Sequence, residues 1–110
     1  MSLLRRKHTI IPLTRMTLGE FDIQEPGGYR NVKTFPLHIK AGRDLHVRVR
    51  SDRPVDLAVS DQKGFCRSFQ EGVMEGSLGP VHFPEKELAA LVLGVFRGDR
   101  ADLELEVWTE

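Results

Sequence analysis

Three stretches of this chain alternate strictly between apolar and polar residues, and that period of two decides what the chain can fold into. In Asp44-Leu45-His46-Val47-Arg48-Val49-Arg50 the apolar positions are 45, 47 and 49. The alternation returns in Val55-Asp56-Leu57-Ala58-Val59-Ser60. Over residues 101–108, Leu103, Leu105 and Val107 share one face, while Asp102, Glu104, Glu106 and Trp108 share the other. Successive side chains of a strand point to opposite sides of its sheet, so each stretch puts one face on a core and the other in water. Weaker strands read at residues 9–13, 17–23, 32–40 and 65–69, broken by Glu25-Pro26-Gly27-Gly28, Ala41-Gly42 and the glycine-rich residues 72–79. Ser51-Asp52-Arg53-Pro54, between the first two alternating stretches, predicts a turn that closes them into a hairpin. Pro12 and Pro36 lie inside two of the weaker strands, and because proline cannot donate to a ladder these are edge strands or bulges. Seven or eight short strands with turns about every 10 residues predict an all-β fold, an antiparallel β-sandwich of jelly-roll type.

One segment reads two ways. Phe83-Pro84-Glu85-Lys86-Glu87-Leu88-Ala89-Ala90-Leu91 opens as a helix does, with proline followed by acidic residues, and Gly98 could close it. Val92, Gly94, Val95 and Phe96 fit instead a central strand buried on both faces, and a strand over residues 90–97 is the reading adopted. Its alternation is apolar on both sides: Leu91, Leu93 and Val95 point one way, Ala90, Val92, Gly94 and Phe96 the other. A sandwich strand normally buries only one face, so the outer set calls for a cover: the N-terminal arm around Leu3 and Leu4, residues 72–79 with Val73 and Met74, or another molecule, a partner surface being the favoured one because the arm is short and basic.

A chain of 110 residues makes one domain, here residues 9–110 behind a basic N-terminal arm of residues 1–8. The arm lacks the apolar run of roughly 7 to 15 residues that marks a secretory signal. The longest apolar run, residues 88–96, is far short of the roughly 20 residues of a membrane helix. Cytoplasmic location without membrane insertion is therefore expected. A single cysteine excludes an internal disulfide and a multi-cysteine metal site. The 16 Lys and Arg cancel the 16 Asp and Glu, so nothing global draws the chain to nucleic acid.

Residues 35–61, from Phe35-Pro36-Leu37-His38-Ile39-Lys40-Ala41-Gly42 to Pro54-Val55-Asp56-Leu57, and residues 91–108, from Leu91-Val92-Leu93-Gly94-Val95-Phe96 into the last alternating strand, resemble the jelly-roll sandwiches of the GOLD domain and the bacterial pre-peptidase C-terminal domain. In both families a strand ends in a small-residue-Gly turn, an alternating strand follows, then a polar-Pro-Val-Asp strand. A buried strand hairpinned to an alternating one closes the domain. The resemblance implies a non-catalytic module that binds proteins, sugars or calcium, or that sits beside a catalytic domain. The chain departs from the pattern at Leu88-Ala89-Ala90, where an aromatic is common.

Few residues suggest chemistry. Cys66 stands between Phe65 and Phe69, which reads as a small core residue rather than as the nucleophile of a Cys-dependent hydrolase. His8, His38, His46 and His82 form no i, i+2 or i, i+4 pair to hold zinc. Asp52, Asp61 and Asp99, with Asp56 and Asp102 nearby, could offer oxygens to calcium, but in Ser51-Asp52-Arg53-Pro54 and Asp61-Gln62-Lys63-Gly64 aspartate is the usual turn-former. Gly27-Gly28 lacks the strand-loop-helix order of a phosphate cradle. Trp108 and Tyr29 are the only aromatics of the kind that stack on sugars, and Trp108 falls on the polar face of its strand. No catalytic residue, metal or cofactor is expected, and the chain is not read as an enzyme.

The charges are segregated along the chain: 11 of the Lys and Arg fall in residues 1–55 and 11 of the Asp and Glu in residues 56–110. If strands distant in sequence pair, the row His46, Arg48, Arg50 lies beside Asp102, Glu104, Glu106 and the charges are satisfied internally. Otherwise a basic and an acidic surface dock between copies. The expected interaction surface comprises Arg48, Arg50, Val92, Phe96, Glu104, Glu106 and Trp108. The expected function is a β-sandwich that binds a protein partner or itself, possible as a homo-oligomer; a calcium- or carbohydrate-binding accessory module is the alternative.

Overall fold

The computed structural model describes residues 7–19, 30–96 and 99–110. Among them are six strands and no helix: β1 (His8–Leu18), β2 (Arg30–Ile39), β3 (Arg43–Ser60), β4 (Cys66–Phe83), β5 (Glu87–Phe96) and β6 (Ala101–Thr109). All pair antiparallel in one sheet of order β1-β6-β3-β5-β2, with β4 on β3, and the sheet curls into a half-barrel. The ambiguous segment is strand, and it starts at Glu87, opposite Ile39 of β2. β1 likewise starts one residue before the expected boundary, with His8 opposite Thr109.

The expected hairpin of residues 44–50 and 55–60 does not form; both stretches belong to β3. The reason lies in the ladder. Arg50 already faces Glu104 of β6 on one edge and Glu75 of β4 on the other, so no edge is left for residues 55–60. Ser51 Oγ still accepts a hydrogen bond from Arg53 N at 3.3 Å, as a turn-former should, but the result is a corner within one strand. Past that corner the edge that held β6 holds β5, from Asp56 opposite Gly94 to Ser60 opposite Ala90. The glycine-rich residues 72–79, expected as a break, are likewise strand, because β4 follows β3 around the corner. Residues 9–13 and most of the next expected strand also merge, into β1, while the end of that expected strand lies outside the described residues. These mergers leave six strands where seven or eight were expected.

The curl brings the ends of β4 together. Arg67 Nη2 donates to His82 O at 2.9 Å, although the two residues are 15 apart on one strand. In a straight strand they would be about 50 Å apart. The same guanidinium lies 5.1 Å from the centre of the Phe83 ring. Inside the curl one cluster collects the inward set of every strand, with Leu45, Val47, Leu57, Val59, Phe83, Leu91, Leu93, Leu105 and Val107 fully buried. Pro12 and Pro36 sit where the ladder tolerates them, since β1 and β2 end the strand order and the register of β1 shifts between Ile11 and Thr14.

β4 pairs only with β3 and carries register shifts that bend it. Gly79, at one of them, has φ of 113°, and a Cβ there would stand 2.5 Å from Leu45 O. Gly42 also has positive φ, 74°, but open space around it. Gly42→Ala should therefore cost about 1 kcal/mol, from φ alone, and Gly79→Ala more than about 3 kcal/mol, because the backbone must also move. Thermal unfolding of the two variants checks this; equal melting temperatures would contradict it.

Candidate functional site

The convex surface of the sheet has two parts of opposite chemistry. On the part formed by β1, β6, β3 before its corner and the end of β4, most outward side chains are charged, with Leu13, 64% exposed, among them. The register sets Arg15 opposite Glu104, Glu104 opposite Arg50 and Arg50 opposite Glu75, so sign alternates from strand to strand. The next row sets Arg48 between Glu106 and Ser77. Lys7 Nζ reaches Glu106 Oε2 at 2.8 Å and Arg15 Nε reaches Glu104 Oε1 at 3.1 Å. Among the described residues, segregation along the chain has become interleaving in space.

Trp108 ends this row. The imidazole of His46 stacks on it from β3, with centroids 5.2 Å apart and planes 8° from parallel, and Lys7 Nζ lies 4.5 Å from the ring centre on the β1 side. The indole weighed as a sugar platform thus carries the chain's own side chains, and Tyr29 lies outside the described residues.

Where β3 leaves β6 a groove of about 570 Å³ opens between Arg15, Thr17, Arg50, Asp52, Asp102 and Glu104. Most of its polar groups bond to one another. Thr17 Oγ1 donates to Asp102 Oδ1 at 2.6 Å, and Asp52 Oδ1 accepts from Asp102 N at 2.9 Å. Asp61 and Asp56, also weighed for calcium, are used similarly. Asp61 Oδ1 accepts from Lys63 N and Phe65 N, and Asp56 Oδ1 from Gly72 N. Among the described residues no three His, Cys, Asp or Glu side chains converge as metal ligands. His82 Nδ1 lies 2.6 Å from Asp44 Oδ1, while the Cys66 thiol donates to Ser68 O at 3.4 Å, so imidazole and thiol engage different partners.

The other part of the convex surface belongs to β2, β5, β3 past its corner and the start of β4. Its rows read Thr34, Val92, Ala58, Phe69 and Pro36, Ala90, Ser60, Cys66, each residue beside the next across the strands. In these rows and their neighbours Val32, Gly94 and Asp56 the carboxylate of Asp56 is buried, and on β4 the exposed Arg67 and Glu71 lie two residues to either side of Phe69. Val92 and Ala90 are only half-buried, and Phe69 and Leu88 are 52% and 47% exposed. The expected interaction residues are therefore divided. Arg48, Arg50, Glu104, Glu106 and Trp108 share the charged face, Val92 stands on the second one, and the side chain of Phe96 lies outside the described residues.

Cys66 is a correction: it is exposed, as are Phe65 and Phe69, because among the described residues β4 pairs on one edge alone, with β3, and its start lies outside the core. Sequence reading named neither Ala58 nor Phe69 as part of an interaction surface. The outward alternation Asp56, Ala58, Ser60 was the signal for Ala58; for Phe69 there was none, since its face follows from its pairing with Ala58.

No protein-family model and no curated protein matches this sequence.

Two measurements follow from the geometry. Glu104→Gln should change stability by less than about 1 kcal/mol, because its partner Arg15 is 87% exposed and such pairs contribute little; a loss several times larger in a chemical melt would contradict this. Cys66 should react with a thiol reagent in the native protein as fast as in denaturant, whereas strong native protection would put it back in the core.

Proposed function

We propose that this chain is a non-catalytic binding module acting in protein–protein contact, as a partner-binding domain or as a subunit of a larger assembly. The observation that carries the reading is the set of apolar rows on the second convex face. The exposed outer surface of an antiparallel sheet is ordinarily polar, as the neighbouring half of this same sheet is. A contiguous apolar surface left in water is the usual mark of a contact site. Here Val92, Ala90 and Ala58 are bordered by Phe69 and Leu88 without a Lys, Arg or Glu between them. On the charged face Lys7 pairs with Glu106 and Arg15 with Glu104, and in the groove the Thr17 hydroxyl and the Asp52 carboxylate are both engaged by Asp102, which supports a structural role for these groups. The curled sheet, with its long strands turning a corner, is read within this proposal as a jelly-roll sandwich akin to the GOLD and pre-peptidase C-terminal modules, through residues 35–61 and 91–108. Cytoplasmic location belongs to the same proposal.

Photo-crosslinking tests it. A photoreactive residue at position 69, in the protein expressed in its native cells, should yield discrete protein adducts, and the same probe at position 48 on the charged face should yield few. Absence of adducts from position 69 would overturn the reading.

A further inference from the structure

We infer that the end of the domain formed by residues 40–42, 61–65 and 84–86 docks on an anionic lipid surface, and that its histidines strengthen the contact as pH falls. The inference goes beyond the proposed protein contact and centres on other residues, so either can fail without the other. The three segments are reversals: 40–42 joins β2 to β3, 61–65 joins β3 to β4, and 84–86 joins β4 to β5. Because β3 turns its corner midway, it begins and finishes at the same end of the domain, and the reversals meet there. Gly42 N donates to Phe83 O at 2.8 Å, Leu88 N to Gln62 Oε1 at 3.2 Å and Arg67 Nη2 to His82 O at 2.9 Å, which holds the three against one another.

This end pairs an aromatic ring with unmatched cations. Residues 61–65 form a closed turn: Asp61 N donates to Phe65 O at 2.9 Å, Gly64 N donates to Asp61 O at 3.0 Å, and Asp61 Oδ1 accepts from Lys63 N and Phe65 N. The turn nevertheless leaves Phe65 66% exposed, more than any other large apolar side chain among the described residues. Each reversal adds one exposed lysine, Lys40, Lys63 and Lys86, and among the described residues no carboxylate bonds any of the three. The carboxylates of this end are largely engaged. Asp61 is closed into its turn and lies 3.9 Å from Arg67, Asp44 faces His82, Glu110 faces His46, and Glu87 is half-buried, which leaves Glu85 exposed among the lysines. An apolar side chain that enters the headgroup region, with lysines facing anionic headgroups, is the pair of attractions a peripheral protein combines. A soluble polyanion such as heparin would use the lysines and leave the ring in water.

The four histidines, scattered along the sequence, all come to this end. His8 lies opposite Thr109 and His38 opposite Leu88, and both are exposed. His82 Nδ1 lies 2.6 Å from Asp44 Oδ1. His46, stacked on Trp108 with Lys7 at the same ring, has Nε2 3.5 Å from Glu110 Oε2. Asp44 and Glu110 exchange backbone hydrogen bonds at 3.0 and 2.9 Å, which brings the end of β6 to the same place. Imidazoles gain positive charge as pH falls from about 8 to about 5. A chain whose formal charge is zero with neutral histidines therefore becomes positive at this end first. An anionic leaflet at about −30 mV also concentrates protons about threefold at its surface, so approach itself favours the charged form.

Cosedimentation with phosphatidylcholine vesicles containing about 30% phosphatidylserine, at about pH 8 and about pH 6 and at low and high salt, tests this. The expected result is binding to the anionic vesicles that is at least about threefold tighter at the lower pH, weakens with salt, and is absent from pure phosphatidylcholine. Lys63→Gln should weaken it about fivefold and Phe65→Ser several-fold, both with unaltered melting curves, while Arg53→Gln at the opposite end changes nothing. His38→Gln, at an exposed position, should shrink the gain on acidification. Failure to sediment with anionic vesicles, equal binding to pure phosphatidylcholine, indifference to Lys63→Gln or Phe65→Ser, or an affinity that does not rise toward the lower pH overturns the inference. Heparin binding as strong as vesicle binding and indifferent to Phe65→Ser makes the end a general polyanion site and likewise overturns it. The position-69 photoprobe judges the protein-contact reading separately from all of these outcomes.

Discussion

The structure depends on the two edges of β3. One edge pairs with β4 along its whole course, and the other pairs first with β6 and then with β5, so eighteen residues of one strand organise the sheet. Because β6 and β5 must follow one another on the same edge, the sheet turns where one leaves and the other arrives, at Ser51 to Pro54. Local chemistry there favours the turn: Ser51 Oγ bonds Arg53 N, Pro54 has no N–H to contribute to the ladder, and Asp52 accepts from the first turn of β6 at Asp102 N. From that corner come the curl, the contact of Arg67 with His82 O, and a core enclosed by a single sheet.

The corner also creates two outer surfaces from strands that are shared between them. Before it, β3 places Arg48 and Arg50 between the carboxylates of β6 and the outer row of β4, and charges far apart in the sequence become cross-strand neighbours. Exposed pairs of this kind contribute little energy each, but like charges directly opposite would be unfavourable, so the alternation of sign protects the register. After the corner β3 presents Asp56, Ala58 and Ser60 beside the outer set of β5, with Asp56 buried, and the exposed charges at this end, Arg67 and Glu71, stand on β4.

What the sequence by itself determined is what is local. The alternation in residues 44–50, 55–60 and 101–108 assigned every one of those side chains to its inner or outer face, because the pleat has a period of two whatever the neighbours are. Pro12 and Pro36 marked the edge strands for an equally local reason, a missing donor. The doubly apolar run ending at Phe96 announced an outer face in need of a cover. The charge count for residues 1–55 and 56–110 carried the interleaved ladder in outline, since opposite charges on paired strands satisfy each other.

Only the tertiary structure decided the rest, and each case turned on which strand lies beside which. Ser51-Asp52-Arg53-Pro54 has the chemistry of a reversal, yet it makes a corner because β6 and β4 already hold both edges of residues 45–50. Residues 72–79 have the composition of a loop, yet they are strand because β3 offers them a ladder. Cys66 and Phe69 have the neighbours of a core, yet they are exposed because β4 is the outermost strand at that end of the sheet. Trp108 has an outward position, yet its ring is stacked because His46 is its cross-strand neighbour. Hydrogen bonding between strands is non-local, so the same side-chain pattern fits several pairings, and the burial of a residue is settled only when its strand has found its neighbours.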